Sequence, residues 1–508
     1  MPDKFYITTT LPYVNSDPHL GFALELVQAD AIARYHQSVL KQGVFFNTGT
    51  DEHGQKVYVK GKDSGKSIQD YVDEYAAKFR ELVPALGISP EIHFIRTTDP
   101  HHVQAAQEFW RLCDKAGDIY KKNYQVKYCV GCELEKTESD LDQSGHCLIH
   151  PHLEIELIDE ENYFFRFSKY QQPLLDFYEQ HPNFVVPDFR FNEIKQFVKT
   201  GLQDFSISRL AKKMPWGVPV PKDSEHVMYV WFDALINYIS TLGWPSFAKT
   251  SEGKPDGFVE FWGTKGHENC VQIAGKDNLR QQSAMWQAML MSAGLPNSQQ
   301  IIIHGFINSG GQKMSKSLGN VADPYQILDR LKQNGLTQEQ ATDAVRHYLL
   351  REIPTFEDGD YTWEKFVESY NAGLANGIGN LTSRILKMAV NAGIQNEELR
   401  ARDKMEVYKD ELDVFSKLFD KYQIQKACDW VWNDVVKKAD AYIQSTEPFK
   451  TIKSDPKKGK TDILHLLDEL YLIAVALEPI LPRTSGKILS ALTDLKSESV
   501  PRLFPRIE

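Results

Sequence analysis

The sequence has 508 residues, enough for about three domains of ordinary size. It is 42% hydrophobic and 25% charged, with no apolar run near the roughly 18 residues of a membrane helix, which argues against membrane, fibrous, disordered and small disulfide-rich proteins. Acidic residues outnumber basic ones 69 to 58, a formal charge of −11. This speaks against a protein that coats nucleic acid everywhere and leaves room for a local basic face.

In chain order, the alternation FYITTT (5–10) predicts a strand. After the loop LPYVNS, Asp17 and Pro18 predict a helix start, with Leu20, Leu24, Val27, Ala31 and Tyr35 at helical spacing behind it. VFFNTG predicts a second strand running into Asp51, Glu52, His53 and Gly54. Strand, helix, strand is the opening of a parallel α/β sheet. The texture changes over 117–210, which reads as an insert with strand-like runs such as NYFFRF. Strand and helix patterns resume with VMYVWFDALINYI, CVQIAG and IIIHGF, then a loop rich in Gly, Ser and Lys over 308–320. Beyond Trp363 the periodicity is helical (366–390, 405–420, 425–444 and 461–477), broken by a hydrophilic loop at 446–460. The expected organisation is a catalytic α/β domain in two halves (1–116 and 211–325), the insert (117–210), a linking segment (326–362) and a helical domain (363–508).

Three signals carry chemistry. His19 and Gly21 fall in the first turn of the helix after the first strand, where free N–H groups and the positive dipole end favour phosphate. Lys313 and Lys316, three residues apart in a loop preceded by Gly310 and Gly311, can clamp a triphosphate and neutralise charge developing on pyrophosphate. A doubly wound sheet brings two such distant loops together at its switch point. Third, Cys129, Cys132, Cys147 and His150 form two ligand pairs at zinc-site spacing, with His146 and His152 as rivals for the fourth position. A site closed by its own side chains predicts one structural Zn2+ in an insert that lacks a large core. Few, scattered cysteines fit a reducing cytoplasm.

HLGF (19–22) paired with KMSKS (313–317) resembles the signature pair of the class I aminoacyl-tRNA synthetases. The surrounding LPYVNSDPHLG, TGTDEHG, VWFDALINY, GKDN and HGF…GQKMSKSLGN are similar to the methionyl-tRNA synthetase family, and the likeness covers essentially the whole chain. The resemblance implies a Rossmann-like catalytic sheet split by a zinc-bearing connective insert and followed by an anticodon-binding helical bundle. It implies that L-methionine and ATP, with Mg2+, form methionyl-adenylate, and that methionine then passes to tRNA(Met).

By resemblance, Asn15, His19, Gly21, His304 and Lys316 serve ATP, with His19, Lys313 and Lys316 catalytic. Asp51 takes the substrate ammonium, and Leu11, Tyr13, Trp231, Leu235, Tyr238, Gln282 and Trp286 surround the side chain. Trp231, Leu235 and Tyr238 are spaced to share a helix face. Asn380 and Arg384, one helical turn apart, and Phe449 match positions that contact the anticodon. The sequence departs from the family at Phe22, where a second His is common, and at Gln281 and Gln282, where relatives often carry an aromatic and a His. Gln282 is placed to donate a hydrogen bond toward sulfur. The insert is too short for a large separate editing domain. A monomeric, cytoplasmic enzyme with no membrane partner is expected. The alternatives are a synthetase for cysteine or isoleucine, a non-catalytic RNA-binding relative, and a nucleotidyltransferase sharing only the phosphate motif.

Overall fold

A computed structural model describes residues 4–132, 134–136, 140–245, 257–314, 320–394, 409–495 and 500–508. Its centre is a six-stranded sheet in the order His93–Arg96, Gly43–Thr50, Lys4–Thr8, Cys270–Gly275, Gln300–His304 and Val185–Val186. Every pairing is parallel. The inner strands read as near-continuous apolar runs because both faces are covered. The chain leaves Lys4–Thr8 in one direction and Cys270–Gly275 in the other, so these neighbours flank the switch point where such sheets bind ligands.

One face carries the almost wholly buried Leu20–Arg34 helix, and its core continues without a break into the C-terminal helices. The other face packs against the Pro100–Lys115 and Trp286–Ala293 helices and the base of the 117–210 span. Within that span Ile119–Cys129, Glu156–Phe165, Leu134–Lys136 and Phe205–Ser206 form a separate antiparallel sheet, while Val185–Val186 joins the central sheet as its edge.

Several local expectations change. The first helix begins at Leu20, not after Asp17, because the His19 imidazole takes the cap role by accepting the Gly21 N–H at 3.1 Å. The loop over 308–320 opens as a hairpin, Ile307–Ser309 against Gln312–Lys313, turned by Gly310 and Gly311. Both glycines have positive φ (60° and 78°), as the tightest hairpin turns require. The stretch 446–460 is not a loop. Pro448–Ser454 and Pro456–Leu477 are helices, each with proline in its first turn, and Asp455 caps the second. Their lysines had read as loop because they coat a solvated face. Trp231 and Tyr238 lie on two short helices, Val230–Ala234 and Asn237–Ser240, rather than one.

Candidate active site and metal centre

The start of the HLGF helix lies against the segment that follows the lysine loop, beside the switch point. The Leu20 N–H donates to the Ala322 carbonyl at 2.9 Å, fastening the start of the HLGF helix to the segment that follows the lysine loop. Met314 packs against the same core, and its Sδ accepts the Ala322 N–H at 3.3 Å. His19 is exposed at the helix mouth, with Asn15 partly buried just before it. Gly21 leaves room for the capping ring, since a Cβ there would lie 3.0 Å from the His19 imidazole and press on it. Phe22 faces away from this mouth into the core, edge-on to Phe79 at 5.4 Å, so no second imidazole sits there. Lys316 and the Lys313 side chain lie outside the described residues.

His304 ends its strand beside this mouth. Its Nε2 donates to Glu25 Oε2 at 2.9 Å and its Nδ1 faces the Gly305 carbonyl at 2.7 Å, so both ring nitrogens point at acceptors. Glu25 also accepts the Thr10 N–H and hydroxyl, each at 2.6 Å. Burial opposes charge on His304, but Glu25 outweighs it and raises the imidazole pKa above 6.5. The stability this pair contributes is therefore fully present below about pH 6.5 and is lost as pH rises through the raised folded value. The stability gap between wild type and His304→Gln, followed by denaturant unfolding, is expected to narrow as pH increases from about 6 to 9. A gap that widens would contradict the assignment. Glu25 was missed in the sequence, although a carboxylate amid Leu24, Leu26 and Val27 on a buried helix was a readable signal.

The residues expected around the amino acid are brought together by backbone pairing across the first two strand ends. Asp51 N–H donates to the Pro12 carbonyl at 3.0 Å, and Val14 N–H to the Asp51 carbonyl at 3.2 Å. This sets Leu11 and Tyr13 beside Asp51, itself buried at 4% exposure. Tyr13 meets Trp231 edge-on at 6.3 Å. Tyr238 meets Trp286 at 6.0 Å, and Leu235 is buried on the same segment. Gln282 Nε2 donates to the Tyr238 hydroxyl at 2.7 Å, so one of its two amide protons holds the tyrosine. Gln281 is buried beside it. Beneath the pocket His53 Nδ1 donates to Asp233 Oδ2 at 2.9 Å, and His102 Nε2 lies 3.5 Å from the other oxygen. Against the cost of burial, His53 and His102 hold the Asp233 carboxyl below its usual range.

In the insert, Cys129, Cys132, Cys147 and His150 present ligand atoms all within 4.8 Å of one another. Cys132 Sγ lies 3.5 Å from Cys147 Sγ and 3.2 Å from His150 Nδ1, and Cys129 Sγ lies 3.9 Å from that nitrogen. Tetrahedral zinc at its usual bond lengths separates its ligands by roughly 3.5–3.8 Å, so this donor set fits zinc. Gly131 is obligatory, since a Cβ would come within 2.6 Å of the His150 ring. Neither His146 nor His152 joins the cluster. Purified protein is expected to hold about one zinc per chain and Cys132→Ala to lose it, with structural zinc worth about 10–16 kcal/mol to such a fold. Elemental analysis with limited proteolysis of the insert checks this, and a metal-free wild type whose insert resists protease would contradict it.

On the helical side, Asn380 is exposed, and Arg384 pairs with Asp440 on the helix that precedes the one carrying Phe449. Phe449 is 44% exposed, unlike most aromatics of the chain.

A split parallel sheet followed by a helical tail, with the start of the HLGF helix tied to Ala322 beyond the lysine loop, accords with the class I tRNA synthetases, and residues 5–148 and 135–386 match the family described as tRNA synthetases class I (M). Residues 391–503 match the anticodon binding domain of methionyl tRNA ligase. The chain belongs to the methionyl-tRNA synthetase family. It is 39% identical to a methionine–tRNA ligase of Nostoc sp. over 96% of this chain and 89% of that one. It is equally identical to that of Thermotoga maritima over 96% and 74%. Among solved structures it is similar to Mycobacterium tuberculosis methionyl-tRNA synthetase in complex with methionyl-adenylate, with a TM-score of 0.83, 33% identity and coverage of 98% and 95% of the two chains.

Proposed function

We propose that the protein is a methionine–tRNA ligase. It activates L-methionine with ATP, releasing pyrophosphate, and transfers the methionyl group to the 3′ end of tRNA(Met). The observation that carries the reading is the fastening of the HLGF turn to the segment after the lysine hairpin at the switch point. In the first step a methionine carboxylate oxygen attacks the α-phosphorus of ATP and the bond to the β-phosphate oxygen breaks. No protein nucleophile is needed, only alignment and stabilisation of phosphate charge. His19 and the backbone at Gly21 contact phosphate, Lys313 and Lys316 follow the β- and γ-groups, and Asn15 and His304 lie toward the nucleoside. Mg2+ enters with the ATP phosphates. Asp51 pairs with the substrate ammonium while Leu11, Tyr13, Trp231, Leu235 and Trp286 enclose its side chain. In the second step the terminal adenosine hydroxyl attacks the acyl carbon and AMP leaves.

The anticodon reads against Asn380, Arg384 and Phe449, where an exposed ring can stack a base for about 1–3 kcal/mol. Cys129, Cys132, Cys147 and His150 would hold zinc as a structural clamp, its four positions filled by protein. The catalytic unit comprises 1–116 and 211–325, the insert 117–210, the link 326–362 and the anticodon domain 363–508. Six cysteines outside any disulfide, three of them in the candidate zinc cluster, suit the reducing cytoplasm, and no described helix is long and apolar enough to cross a membrane. We assign a monomer, since catalytic and anticodon parts share one continuous core within a single chain. ATP–pyrophosphate exchange across a panel of amino acids tests the reading. Methionine is expected to support it, and cysteine or isoleucine in its place would overturn the assignment.

A further inference from the structure

The strand Gly359–Tyr361 runs parallel to Ile307–Ser309, the first arm of the lysine hairpin, and then leads into the C-terminal helices. Backbone bonds fix both ends of this pairing. The Gly359 N–H donates to the Phe306 carbonyl at 2.8 Å, and the Gly310 N–H to the Tyr361 carbonyl at 3.3 Å. The strand is anchored in turn by the buried Tyr348, whose hydroxyl donates to the Asp360 carbonyl at 3.0 Å. The chain entering it lies directly on the turn after His304, where a Cβ on Gly305 would come within 2.2 Å of the Glu357 backbone.

Aspartates stand on either side of Gly359, a spacing that puts both carboxylates on one side of an extended chain. Asp358 Oδ1 accepts the Phe306 N–H at 3.0 Å, and its two oxygens take the Lys276 ammonium at 2.8 and 2.7 Å. Asp360 Oδ1 accepts the Gly311 N–H at 2.7 Å, and its Oδ2 pairs with Lys365 at 2.8 Å. Lys276 follows the central strand Cys270–Gly275, Phe306 follows the neighbouring strand Gln300–His304, and Gly311 sits in the turn of the lysine hairpin. One strand thus holds three segments at the ligand end of the sheet.

The hairpin turn is where this hold has most effect. A two-residue hairpin loop leaves the N–H groups of its own two residues outside the ladder, and adjacent glycines leave the backbone unusually free. Here both donors are taken from outside the hairpin, Gly310 by Tyr361 and Gly311 by Asp360. Burial opposes ionisation of Asp360, but Lys365 and the Gly311 N–H outweigh it and hold the carboxyl below its usual range. The acceptor at the turn is therefore a charged one, which makes the stronger bond.

We propose that Asp358 and Asp360 are positioning residues for the activation step, and that Asp360 fixes the angle at which the lysine hairpin stands over the nucleotide. The proposal deepens the ligase reading above and rests on it. Both carboxylates act through the hairpin and its neighbours, so their contribution is felt in turnover and not in the amino-acid pocket.

The test is ATP–pyrophosphate exchange by wild type, Asp360→Ala, Asp360→Asn, Asp358→Ala and Lys365→Met. Asp360→Ala is expected to lower kcat about tenfold, the size of one hydrogen bond to a charged group, with the KM for methionine within about twofold. Asp358→Ala is expected to show the same split. Asp360→Asn keeps an oxygen for the Gly311 N–H and is expected to recover most of the loss. Lys365→Met removes only the outer partner of a surface ion pair and is expected to match wild type. Wild-type kcat in either alanine variant, a methionine KM that rises as far as kcat falls, no recovery in Asp360→Asn, or an equal loss in Lys365→Met would overturn the proposal. Should one alanine variant fail to fold, the other carries the comparison. A wild type without methionine-dependent exchange would overturn the ligase reading instead, a failure distinguishable from these.

Discussion

Replacing Asp51 by asparagine is expected to raise the KM for methionine by roughly thirty- to several-thousandfold, the equivalent of about 2–5 kcal/mol for removing one partner of a buried charge pair. Asp51 is 4% exposed, held from both sides by backbone bonds to Pro12 and Val14, and its Oδ1 lies 3.4 Å from the His53 N–H. The variant keeps the shape and those backbone bonds, so the loss falls on the substrate ammonium rather than on the fold. Steady-state exchange at graded methionine resolves it. The KM for ATP is expected to change far less, and a comparable rise in both constants would count against the assigned role.

The second large effect is on stability. Arg346 is fully buried and joins three parts of the chain. Its Nη1 pairs with Asp30 at 2.7 Å on the first helix, and its Nε and Nη2 donate to the Ile480 and Pro479 carbonyls at 2.9 and 3.2 Å in the tail. Its Nη1 also reaches the Leu86 carbonyl at 3.3 Å. Asp30 is fully buried too, with Arg34 at 2.8 Å as its other cation. Arg346→Met preserves volume but strands a buried carboxylate and several carbonyls, a change that costs about 3–5 kcal/mol. The expected result is an earlier thermal transition in which the helical tail loosens ahead of the catalytic sheet, read by limited proteolysis. An unshifted transition would mean that the bracket is dispensable. Because this bracket ties the Asp30 helix, which also carries the HLGF turn, to the tail, it gives the anticodon end a rigid connection to the ATP end.

The metal cluster was legible, because two matched ligand pairs announce themselves through residue type and spacing, and their four ligand atoms do converge. Helix boundaries were less so, because the Asp17 and Pro18 signal competed with a histidine that caps through its ring. The stretch around Phe449 misled for another reason, since short helices with one solvated face share the composition of loops. The buried hydrogen bonds that join Gln272 to Gln282, Gln287 to the Gln282 carbonyl, and Ser298 to both Gln287 and Gln272 were invisible. Gln272, Gln282, Gln287 and Ser298 come from separate elements, and neutral amides carry no spacing signature until the sheet and the helix behind it bring them together.

The account depends on the helix-mouth imidazole and the lysine hairpin acting on one nucleotide. Methionine-dependent ATP–pyrophosphate exchange by His19→Ala and Lys316→Ala, each checked for wild-type zinc content, tests this most directly. Each variant is expected to lose about a hundredfold or more in kcat, the scale of removing one group that stabilises developing charge. Exchange at the wild-type rate in either variant would contradict it.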